Sequence, residues 1–154
     1  MSYPSALAKI VTFFEALSEA EKRENLIACA EQAARHAPRR GEAFDFEDVR
    51  KDAECTDSVG IFLRVDRGGR VSFRITLGPQ VQTLTRAMGA ILCKGLNGSQ
   101  LEEVVDLPGD FVEKIVGSSL ARSRSQTVYY VLKRMKSACG TFLKKGRAIR
   151  GAAH

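Results

Sequence analysis

Two strand-dense runs separated by a short glycine turn constrain this chain more than any other feature. From Val59 to Val65 and from Val71 to Leu77 the residues are apolar or β-branched at strand density. The second run alternates Val71, Phe73, Ile75 and Leu77 with Ser72, Arg74 and Thr76, the period-2 pattern of a half-buried strand. Between the runs, Asp66-Arg67-Gly68-Gly69 supplies residues that reach positive φ cheaply, as a hairpin turn requires. The sequence therefore predicts a β-hairpin, with a further short strand around Phe46 to Arg50.

On either side of the hairpin the period changes to that of a helix. Leu7, Ile10, Val11, Phe14 and Leu17 make one apolar stripe, and Ser18 with Glu21 forms a capping box that opens a second helix reaching about His36. That second helix is expected to bury Leu26, Ile27, Ala30 and Ala33. Pro38-Arg39-Arg40-Gly41 breaks it, and Glu42 to Asp57 reads as polar loop around the short strand. After Pro79, Val81, Leu84, Met88, Ile91, Leu92 and Leu96 share a helical face. Gly89, Ala90 and Gly95 permit close packing there, and Asn97-Gly98 is the stop.

Ser99 with Glu102 predicts a capping box for a short helix, and Pro108-Gly109-Asp110 leads into another ending at Gly117. A long terminal helix runs from about Ser125 to Leu143, with Val128, Val131, Leu132, Met135, Cys139, Phe142 and Leu143 on its inner face. The order is α+β: N-terminal helices, a small antiparallel three-stranded sheet, then C-terminal helices packed on it. A single domain over residues 1–143 followed by a basic tail, 144–154, is the expected organisation. At 44% hydrophobic composition a chain of this size buries roughly two-thirds of its unfolded surface, so it needs no disulfide or metal to hold a core.

No apolar stretch approaches the ~18 residues of a membrane span, and Met1 to Lys9 lacks the pattern of a secretory signal. The expected location is the cytoplasm, with no membrane partner. Charge is uneven: Ile115 to His154 carries nine Lys or Arg and no Asp or Glu, leaving fifteen basic against eighteen acidic residues before it. Such asymmetry suits an acidic partner surface, nucleic acid, or a solvated basic helix face.

The cysteines Cys29, Cys55, Cys93 and Cys139 form no CxxC pair and have only His36 and His154 for company, which does not favour a zinc site. Cys29, Cys93 and Cys139 fall in helical segments and read as small buried hydrophobes. Cys55 stands apart, in the polar run Asp52-Ala53-Glu54-Cys55-Thr56-Asp57 just before a strand, where a side chain can be presented at a hairpin tip. A thiol that exchanges sulfur needs thiolate character and access rather than a general base. Taken alone, Cys55 reads first as an incidental loop cysteine.

The order of segments resembles the SufE family of sulfur acceptors. The family pattern Gly-Cys-x-Ser-x-Val-Trp corresponds to Glu54-Cys55-Thr56-Asp57-Ser58-Val59-Gly60, which keeps the Cys and Val while Glu54, Asp57 and Gly60 replace the Gly, Ser and Trp. The family helix Ile-Val-x-Gly-Leu-x-Ala-Ile-Leu is matched by Leu84 to Leu92, its stop by Leu96-Asn97-Gly98, and the next element by Glu103-Val104 and Asp106. The entry to the last helix, Leu-x-x-Ser-Arg, is matched by Leu120 to Arg124, whereas Pro79-Gln80-Val81 stands where many members carry Asp-Ser-Asp.

The resemblance implies a carrier and desulfurase activator rather than a stand-alone enzyme, with no bound cofactor or metal. Cys55 would take a transient persulfide from a pyridoxal-phosphate cysteine desulfurase and pass the sulfur to an iron–sulfur scaffold. Glu54, Asp57 and Arg124 would meet the partner, and the acids flanking Cys55 are expected to keep it sluggish until docking. Two alternatives compete. An IscU-type scaffold would need about three converging thiolates. A nucleic-acid binder would use Arg122, Arg124, Lys133, Arg134, Lys136, Lys144, Lys145, Arg147 and Arg150, though Tyr129 and Tyr130 are the only aromatics interleaved.

Overall fold

The structure, a computed structural model, describes residues 3–152, those from 147 onward by their backbone alone. Helices α1 (Ser5–Glu15) and α2 (Glu19–Glu31) come first, then a 3-10 turn (Ala33–His36). Strands β1 (Phe46–Arg50), β2 (Val59–Val65) and β3 (Val71–Leu77) follow. Helices α3 (Thr83–Leu96), α4 (Leu101–Val105), α5 (Phe111–Val116), α6 (Ser118–Arg124) and α7 (Gln126–Ala152) complete the chain. This is the expected α+β order, and all three strands occupy the predicted segments.

The sheet is antiparallel in the order β1-β2-β3, with Arg50 opposite Val59 and Val59 opposite Leu77. The turn joining β2 and β3 is held by the Asp66 carboxylate, which accepts the Gly68 and Arg70 N–H at 2.9 Å, while Gly69 takes φ +77°. Val59, Ile61 and Leu63 of β2 alternate with the outward side, as do Val71, Phe73 and Ile75 of β3, and these six are buried. Helices α3 and α7 cover them and pack on each other. Close approach depends on small residues in α3: a Cβ on Gly89 would lie 2.9 Å from Ile75 Cδ1, and one on Gly95 would lie 3.2 Å from the Leu7 backbone.

Four details differ from expectation. Helix α2 ends at Glu31, and the chain reaches Pro38 through the tighter 3-10 turn. Ile27 is 52% exposed, because α2 rests on the core through the narrow stripe Leu26 and Ala30, continued by Ala33 of the 3-10 turn, and Ile27 lies one residue off it. The capping box of α4 is one residue later than expected: Ser99 is buried, its carbonyl accepting Val71 N–H at 2.8 Å, so Gln100 is the N-cap and Glu103 closes on its N–H at 2.9 Å. The Ser18–Glu21 box of α2 is present as predicted.

The fourth concerns the C-terminus, where helix geometry continues past Leu143 to Ala152. Phe142 and Leu143 are the last apolar residues seen packing on the core. The expected tail thus begins as helix; its side chains beyond residue 146, and residues 153–154, lie outside the described residues.

Candidate functional site

Strands β1 and β2 are hydrogen-bonded neighbours, so residues 51–58 form the loop of a hairpin and carry Cys55 at its tip, as the sequence suggests. Each part of that loop is tied down. Cys55 N–H bonds Asp52 O at 3.1 Å, closing a turn in which Glu54 takes φ +65°. That left-handed conformation is the one glycine adopts without penalty. Thr56 Oγ1 donates to Gln80 O at 2.7 Å, and the Asp57 carboxylate accepts the Ser58 and Gln80 N–H, each at 2.7 Å.

These backbone donors, Gln80 first, hold the Asp57 carboxyl below its ordinary value, with Arg86 and Lys51 adding positive charge. A carboxyl whose pKa is lowered by folding stabilises the fold above its ordinary pKa of 3.8, and the contribution is lost as pH falls through the lowered value. Arg86 braces the same turn from the other side by donating to the carbonyls of Gly78 and Val81. There is room for this only because residue 78 is glycine: a Cβ there would collide with the Asp57 carboxyl group.

The base of the loop is anchored to α7 by Arg134, only 4% exposed. Its Nε donates to Asp48 Oδ2 at 2.9 Å, Nη1 to Asp52 Oδ2 at 3.0 Å, and Nη2 to the carbonyls of Asp48 and Val59 at 2.9 and 2.8 Å. Four acceptors on β1, the loop and β2 thus converge on one planar cation, the geometry for which guanidinium is suited. Expected among the cations for surface phosphate contacts, Arg134 is instead an internal tie. The signal available is its place at i+3 from Val131 and i−4 from Ala138, both buried.

Cys55 is not the accessible thiol that a polar loop implies. It is 5% exposed, yet it stands outside the main apolar cluster that takes in Cys93 and Cys139. Its Sγ lies 3.5 Å from Thr127 Oγ1, in the first turn of α7. Ser125, buried at the corner, sets that turn by donating to Leu120 O at 3.0 Å. The sulfur is therefore beside the positive end of a long helix, whose first N–H groups lack intrahelical partners. Nothing in the sequence singles out Thr127, since it comes into play only through the fold.

Of the other thiols, Cys93 and Cys139 are buried as expected, and burial pushes both up to about 12. Cys29 departs from expectation: it is half-buried on α2 and is the most exposed of the four. Among the described residues no group of three or more His, Cys, Asp or Glu is placed to hold a metal, so the thiols do not converge as an IscU-type scaffold would need. Of the predicted partner residues, Glu54 is exposed on the loop and Arg124 is exposed at the end of α6, while Asp57 is engaged internally.

The basic set suited to nucleic acid is thinned by the fold. Arg134 is buried, and Lys136 donates to Leu107 O at 2.6 Å. Gly60, where the family pattern has Trp, is covered: a Cβ there would meet Thr76 Oγ1 and Val49 Cγ2 within 3 Å, so this packing leaves no room for a ring.

An α+β domain that holds one cysteine in a braced hairpin loop against a helix N-terminus defines the class. The chain belongs to the SufE family: the family model described as SufE, Fe-S metabolism associated domain, matches residues 8–139. A solution structure of a hypothetical protein from Thermus thermophilus is similar in fold, with a TM-score of 0.73 at 19% identity over 93% of this chain and 99% of that one. No curated protein matches the chain. No helix among the described residues is long and apolar enough to cross a membrane.

Proposed function

We propose that the chain is a sulfur carrier in which Cys55 accepts a persulfide sulfur from a pyridoxal-phosphate cysteine desulfurase and delivers it for iron–sulfur cluster assembly. The observation that carries this reading is the setting of Cys55, a thiol kept apart from the apolar core on a loop braced at both ends. The Cys55 thiolate attacks the outer sulfur of the partner's Cys–S–SH; a new S–S bond forms, the old one breaks, and the partner's cysteine leaves as thiolate. Oxidation state is conserved, so no outside oxidant or reductant enters. Delivery to a scaffold is the same exchange with Cys55 as leaving group.

Because Cys55 is covered in the free protein, transfer requires the loop to swing from Gly78–Gln80 and Thr127 when the partner docks. Glu54 and Arg124, both exposed, are the groups assigned to the partner surface, and Asp57 keeps the loop shut until then. Cover of this kind protects a carrier thiol from stray oxidation.

The test is intact-mass spectrometry after incubation with a cysteine desulfurase, pyridoxal phosphate and cysteine. Wild type, Cys29→Ser, Cys93→Ser and Cys139→Ser should gain the mass of one sulfur atom, and Cys55→Ser should gain none. Equal gain by Cys55→Ser and wild type would sink the proposal.

A further inference from the structure

Away from the Cys55 loop, α1 and α2 both pack on α3 but scarcely touch each other, leaving a groove of about 630 Å³ between them. Its volume lies inside the roughly 300–1,000 Å³ range of small-molecule sites. Ala6, Ile10, Phe13 and Phe14 line one wall at helical spacing, Cys29 stands on the opposite wall, and Ile91 contributes to the floor. Phe13 is 52% exposed although its ring stacks edge-on against Phe14 at 5.5 Å, which is surface that folding alone leaves uncovered.

The charged groups of the groove are of one sign, beside the neutral Ser5, Asn25 and Asn97. Lys9 and Lys94 line it, no Asp or Glu does, and neither lysine has an ion pair among the described residues. Lys94 and Asn97 also border a neighbouring cavity lined by His36, Arg64 and Arg74, where Glu42 is the sole acid and is shared by both arginines at 3.1 and 3.3 Å. An apolar trough thus opens beside an excess of positive charge. From Ser5 to Phe14 it runs for about 13 Å along α1.

We propose that this groove binds a single-chain amphipathic anion, an alkyl chain lying along α1 with its carboxylate between Lys9 and Lys94. The length suits a medium alkyl chain, and the acid-free rim selects an anion over a cation or a neutral chain. The groove shares no lining residue with the Cys55 loop, so the proposal stands independently of sulfur transfer.

Cys29 serves as a built-in reporter, since an occupant would cover it. The probe is sodium dodecanoate below its micelle-forming concentration, with N-ethylmaleimide alkylation followed peptide by peptide and binding heat measured in parallel. At about ten times the dissociation constant, Cys29 should alkylate roughly tenfold more slowly. Cys55 should keep its rate and Cys93 and Cys139 should stay unlabelled. Dodecyltrimethylammonium should give no protection. Ala6→Trp, which fills the groove, and the surface pair Lys9→Glu with Lys94→Glu should each abolish the dodecanoate heat. The proposal is overturned if dodecanoate gives no protection, if the cationic chain protects equally, or if Cys93 becomes reactive. It is likewise overturned if only anionic vesicles protect Cys29, which would make the groove a membrane-facing surface.

Discussion

Glu54 holds φ +65° in the turn before Cys55, at a position where the family pattern this chain resembles carries glycine. A non-glycine residue in left-handed conformation costs about 1–2 kcal/mol, and glycine returns about 0.5–1 kcal/mol through unfolded-chain entropy. Glu54→Gly should therefore raise stability by about 0.5–1 kcal/mol, an increase of about 1–4 °C in Tm. A lower Tm for that variant would mean that the Glu54 side chain stabilises the loop in a way the backbone does not reveal. The family pattern marks this residue as a departure; only the dihedral angle explains why glycine belongs there.

At the scale of elements, the hairpin loop is governed from α7. Removing the guanidinium of Arg134 leaves Asp48 and Asp52 as partly buried carboxylates facing each other, with Arg50 at 3.4 Å as their remaining counter-charge. Breaking one side of a buried charged network costs about 3–5 kcal/mol. Arg134→Met should lower Tm by about 6–20 °C, and alkylation of Cys55 in the still-folded variant should accelerate because its loop has lost an anchor. Arg134→Lys should fall between, since an ammonium cannot span four acceptors. A Met variant with wild-type Tm and an unchanged Cys55 rate would remove Arg134 from any part in holding the loop. Helix periodicity foretells that α7 exists and which side is apolar, but not that a cation on that side is satisfied by β1 and β2.

For the molecule as a whole, Phe142 and Leu143 are the last apolar side chains on the core among the described residues. A chain ending at Leu143 should therefore keep its fold with a Tm within about 4 °C of the full chain and should accept sulfur equally well. A large loss of thermal stability on that truncation would show that the last turns of α7 hold the core.

Much of the architecture is legible because its causes are local. Strand alternation in β3, the Ser18–Glu21 box, the Asp66–Gly69 turn and the α3 stripe from Leu84 to Leu96 each depend on residues within a few positions of one another, and these form where the sequence predicts. The place of Cys55 on a hairpin loop follows from the same local signals. What tertiary structure alone decided involves partners far apart in the chain: Thr127 beside Cys55 across 72 positions, Arg134 to Asp48 across 86, and the trough left where α1 and α2 diverge on α3. A polar stretch is soluble loop by composition, but whether its cysteine faces water depends on which helix end arrives to cover it, and no local pattern of residues encodes that arrival.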